Sequence, residues 1–236
     1  MASPDATLNE HICRVAEAGA EQLEACGLPI RAPLVILAVP EIAHGDVSCL
    51  GAYDCNRLEL RLVTPAALDA ALAPDSVLRD IPREALFDSL VVHELAHAAL
   101  ARQPCAAPPC LAEHEYVAYA MQMQALAPEH RAIVTAAARG LDRVTEERLN
   151  EFIAVAAPDT FAAWAWTHFS RPGERLRLRC AAHLRRGAAR ARRLLNAPSQ
   201  GAIRMRSATR RPSSPRCTTT ISPEPGATPV SARMFT

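Results

Sequence analysis

The stretch from Asp80 to Gln103 constrains the fold more than any other part of this chain. Asp80 and Pro82 are helix-start signals, Pro104 is a stop, and at 100° per residue Leu86, Leu90, His93, His97 and Leu100 share one stripe. Phe87, Val91, Val92 and Leu95 cover much of the remaining surface. A helix apolar nearly all round is stable only when other elements surround it, so this segment is expected at the centre of the molecule. His93, Glu94 and His97 then become polar groups inside a core, where they need partners.

The surrounding elements are legible from periodicity. Apolar positions Leu8, Ile12, Val15, Ala16 and Leu23, with Gly19 on the same stripe, predict an amphipathic helix over Thr7 to Cys26, with Gly27 as its C-cap. Leu34 to Val39, bounded by Pro33 and Pro40, reads as a buried strand. Leu58, Leu60 and Leu62 alternate with Glu59 and Arg61, as in a half-buried strand that can present an edge to an extended peptide. A second helix is expected over Leu111 to Leu126, and more at about 130–139, 145–156 and 160–168. This order predicts an α+β domain, a small sheet packed on a mainly helical body.

Charge divides the chain. Residues 1–170 hold 11 Arg against 23 Asp and Glu, net −12, whereas residues 171–236 hold 15 Arg against Glu174 and Glu224, net +13. Lys is absent, so all 26 basic residues are Arg. The acidic part is long and apolar enough to bury a core and is expected to form the domain. The tail has no sustained period and is expected to be mostly disordered, apart from a helix around 180–195. Its Arg runs, Pro-Ser clusters and stray Cys180 and Cys217 look like an unselected reading frame, and a frameshift near 171–180 would produce the switch. As an ordinary basic tail it would attract phosphate without sequence preference, which makes nucleic-acid binding an alternative, disfavoured function.

No run approaches the roughly 18–20 apolar residues of a membrane span, and the N-terminus as written is expected to lack a secretory signal. Cysteine usage points the other way. Cys49 with Cys55, and Cys105 with Cys110, enclose short loops that suit disulfides in an extracytoplasmic, oxidising compartment. Cys13 and Cys26 would stand about 20 Å apart along one helix and cannot pair with each other.

His93-Glu94-Leu95-Ala96-His97 carries the chemistry. Histidines at i and i+4 share a helical face and can reach one metal ion, and the Glu beside the first can take a proton from a water held there. Zn2+ suits two imidazoles, one further protein ligand and a water. Leu100 and Gln103 stand where the longer His-Glu-x-x-His-x-x-Gly-x-x-His motif needs Gly and His, which excludes that class. Glu113 and Glu115 on the next helix are candidates for the third ligand; about 200° apart, only one can face the metal.

With this motif the chain resembles the zincin metallopeptidases, in particular the Glu-liganded group that includes thermolysin-like enzymes and aminopeptidases. It is also similar to small bacterial proteins with a His-Glu-Leu-x-His helix. The resemblance covers roughly residues 30–170 and implies a zinc-dependent hydrolase of peptide bonds, with His93, His97 and Glu115 as ligands and Glu94 as general base. Glu115 leaves 17 residues after His97, nearest the family's spacing. The family's transition-state donor has no matching motif, and Tyr119, four residues after Glu115, is the candidate. A carboxylate supporting the imidazoles from behind is expected, with no position assigned. The alternative from a different class is a non-catalytic protein in which zinc joins two helices.

Overall fold

The computed structural model describes residues 4–44, 47–101, 111–138, 140, 144–171, 216–219 and 230–235. Its elements are α1 (Pro4–Ala25), β1 (Leu34–Val39), β2 (Ala43–His44), β3 (Val47–Ser48), β4 (Gly51–Asp54), β5 (Glu59–Val63), α2 (Leu68–Ala71), α3 (Arg83–Leu100), α4 (Leu111–Ala125), α5 (Pro128–Ala137), α6 (Glu151–Ala156), α7 (Pro158–Phe169), β6 (Arg216–Thr219) and β7 (Val230–Phe235). The mixed α+β class follows, with a small sheet on a helical body.

Helix α3 is central, as its composition requires. It packs against α1, α4 and the strands β4 and β5. Leu86, Phe87, Val91, Leu95 and Leu100 are fully buried, each contributing roughly 1.5–3 kcal/mol relative to exposure. Gly19 lets α1 approach: a Cβ there would stand 3.1 Å from both Leu95 and Val92. His11 of α1 also meets Asp88 of α3, Nε2 to Oδ1 at 2.5 Å. Gly27 adopts φ 76° and closes α1, with Leu28 N–H donating to the Leu23 carbonyl at 2.9 Å and Gly27 N–H to Glu24 at 2.8 Å, a Schellman cap.

The sheet runs β4-β5-β1-β7-β6. Strand β5 is antiparallel to β4 and parallel to β1, so both of its edges are paired. The expectation that Leu58–Leu62 presents an edge is therefore corrected: β4 is the edge on that side. Leu58 itself lies before β5 at φ 53°, in a turn where Asp54 Oδ1 accepts from Asn56 N–H at 2.9 Å. The predicted helix over 145–156 is shortened to α6, because Asn150 accepts from Ile153 N–H and starts a new helix there.

In the tail, β7 pairs antiparallel with β1 and β6 with β7. These are strands where no regular structure was expected; the open side of β1 carries backbone donors and acceptors that an extended segment satisfies. The predicted helix at 180–195 lies outside the described residues. Among the described residues, no helix is long and apolar enough to cross a membrane.

Candidate metal centre

One turn of α3 separates His93 from His97, and both rings point toward the start of α4. Their Nε2 atoms stand 3.1 Å apart. Glu115 completes the group, with Oε2 at 3.5 Å from His93 Nε2 and Oε1 at 3.4 Å from His97 Nε2. Glu113 is not among the converging groups, so of the two candidates only Glu115 joins the histidines. With one ligand atom taken from each residue, the three lie within 4.8 Å of one another, and two imidazoles with a carboxylate are a donor set that suits a divalent metal. Together the three residues can hold a metal ion.

Behind the first ring the support is an amide, not the expected carboxylate. His93 Nδ1 donates to Gln122 Oε1 at 2.9 Å, Gln122 Nε2 donates to Ser89 Oγ at 3.3 Å, and Ser89 Oγ donates to the Leu86 carbonyl at 2.7 Å. This relay holds the His93 ring with Nε2 turned toward Glu115 and His97. Gln122 was legible as a polar residue on the Glu115 stripe, seven residues on; nothing marked Ser89. Tyr119 packs edge-on against His93, ring centroids 4.6 Å apart.

Glu94 is 4% exposed, and its Oε2 has no hydrogen-bond partner among the described residues. Burial, opposed by His93 and reinforced by the charge of Glu115, raises its carboxyl pKa to about 7. Burial also pushes the Tyr119 hydroxyl well above its ordinary value, with Glu115, Asp159 and Glu94 adding to it. Burial and the neighbouring His93 lower His97 to about 3. At His93, burial is outweighed by the hydrogen bond and charge of Glu115, and the pKa rises. Glu115 moves the opposite way, its burial outweighed by His93, His97 and His114, as a carboxylate between imidazoles should.

The group lies in a cleft of about 1110 Å³. Strand β4 with Cys49 and Cys55 forms one wall, the segment Ala71–Leu78 another, and Ala154–Thr160 a third. Asp159 ties the last two together, accepting from Ser76 Oγ at 2.8 Å and Val77 N–H at 3.1 Å. The predicted Cys49–Cys55 disulfide is corrected: both are free thiols. The residues between them form β4 and are extended, which at about 3.3 Å per residue carries the two Cα atoms far beyond the roughly 7 Å a disulfide spans. Cys105 and Cys110 lie outside the described residues. Cys13 is disulfide-bonded, and Cys26 donates its thiol to Met121 Sδ at 3.7 Å.

Fold and site together define an α+β protein with a partly buried two-histidine, one-glutamate cluster lining an open cleft. The chain belongs to a family of unknown function, DUF6639, whose family model matches residues 1–192. The match includes α3, α4 and every cleft wall, and continues past the change in composition at residue 171. Neither a curated protein nor a solved structure matches the chain.

Proposed function

We propose that the protein is a zinc-dependent hydrolase of peptide bonds. The observation that carries this reading is the convergence of His93 Nε2, His97 Nε2 and the Glu115 carboxylate, one ligand atom from each within 4.8 Å of the others, in a cleft that Glu94 also lines. A structural zinc site is closed by four protein ligands, whereas three ligands facing a cleft leave room for water and substrate. Zinc at this position supplies Lewis acidity, polarising a carbonyl and acidifying water.

The protein's own residues do the rest. Gln122 holds the His93 ring so that Nε2 faces the metal position. Glu94, poised near neutrality, takes a proton from water at its unpartnered Oε2 and passes it to the departing amine. Tyr119 keeps its hydroxyl proton at every working pH and is the candidate to donate to the oxygen on which charge develops.

Glu94→Gln should retain zinc in metal analysis while turnover of a peptide library falls by about 10²–10⁴-fold. His93→Ala should lose the metal. Wild-type turnover by the Glu94 variant would refute the mechanism, and bound zinc with no cleavage by the wild type would favour the structural alternative.

A further inference from the structure

We propose that Gly51 is a positioning residue for Glu94, so that the place of the general base depends on the edge strand as well as on α3. The contact is a property of the fold; what it does for turnover rests on the hydrolase reading above. A Cβ built on Gly51 would stand 2.4 Å from Glu94 Oε1, 2.7 Å from Cγ and 2.8 Å from Cδ, separations that real Cβ atoms do not show. Any side chain at 51 must therefore displace the carboxylate or the strand.

Neither has an easy retreat. Glu94 is 4% exposed, on a stretch of α3 from Leu86 to Ala96 in which every residue but Asp88 is buried. Gly51 is paired with Leu62, and next to it Val63 N–H donates to the Leu50 carbonyl at 2.9 Å. Backbone freedom is not what glycine supplies, because the described glycines with positive φ are Gly27 and Gly140. Glycine inside a strand is entropically unfavourable and marks a close approach by another group. Here that group is the carboxyl end of Glu94, which lies against bare backbone.

The contact is tested in metal-free protein by thermal unfolding of wild type, Gly51→Ala, Glu94→Ala and the double variant. Gly51→Ala should lower the midpoint by about 5 °C in the wild-type background and by about 1 °C or less beside Glu94→Ala. Equal losses in both backgrounds, or none in either, would overturn the proposal.

Its consequence is read in zinc-loaded protein on a peptide the wild type cleaves. Gly51→Ala should keep zinc stoichiometry and KM while kcat falls about 100-fold, the scale expected of an ångström-sized displacement. In a Glu94→Asp background, whose shorter side chain withdraws from the strand, the same change should cost less than about 5-fold. Equal factors in both backgrounds, or wild-type kcat in Gly51→Ala, would overturn it as well. A wild type that cleaves nothing sinks the hydrolase reading and leaves the unfolding cycle to decide about Gly51.

Discussion

A carboxyl that titrates near 7 inside a folded protein and near 4.5 when unfolded binds more protons in the native state between those values. Stability from protonated Glu94 is then fully present below about pH 4.5 and is lost as pH rises through 7. Glu94→Gln removes that loss. In metal-free protein its stability advantage over wild type should be small at pH 4.5 and grow to roughly 3 kcal/mol by pH 8, read from urea midpoints; an advantage independent of pH would contradict the assignment. Gln122 allows a second test at this scale. Gln122→Ala should leave the fold intact and weaken zinc binding by about 10–100-fold in competition with a chelator. His93 and His97 were legible because their spacing is local to one helix. Gln122 took the place of the expected carboxylate because residues seven apart on α4 lie two turns along one face, one beside the metal position and one behind the ring.

Elements meet where side chains are small. Gly19 sets the distance between α1 and α3, so Gly19→Val should overpack the contact with Val92 and Leu95 and destabilise the protein by about 1–3 kcal/mol. An unchanged denaturant midpoint would show that the two helices separate freely. The helices themselves were read from their 3.6-residue period to within a few residues at most ends. Strand neighbours were not. Alternation at Leu58–Leu62 identifies a half-buried strand, yet says nothing about which strands flank it, and β5 proved to be paired on both sides. The spacing of Cys49 and Cys55 suggested a closed loop for the same reason: separation in sequence is blind to whether the chain between is turned or extended.

At the scale of the whole molecule, the acidic part carries both the site and the cleft, and the basic tail adds strands to the far side of β1. On the zinc reading, a chain ending at residue 192, where the family match stops, should retain zinc at the wild-type ratio, because His93, His97 and Glu115 all lie on α3 and α4. Val35 N–H donates to Leu58 on the β5 side, so the amides of Ile36 and Ala38 face β7. Hydrogen exchange at Ile36 and Ala38 should therefore accelerate on truncation while Val35 stays protected; unchanged protection would show that the tail strands do not cover β1 in solution. The sequence alone determined the central helix, the α+β class and the His-Glu-x-x-His spacing, since each follows from periodicity within a few turns of chain. Only the tertiary structure brought Glu115 and not Glu113 to the two histidines, set Gln122 behind His93, left Cys49 and Cys55 as free thiols, and brought Gly51 against Glu94. Those outcomes depend on the packing of segments distant in sequence, and packing distances are not written in any local pattern.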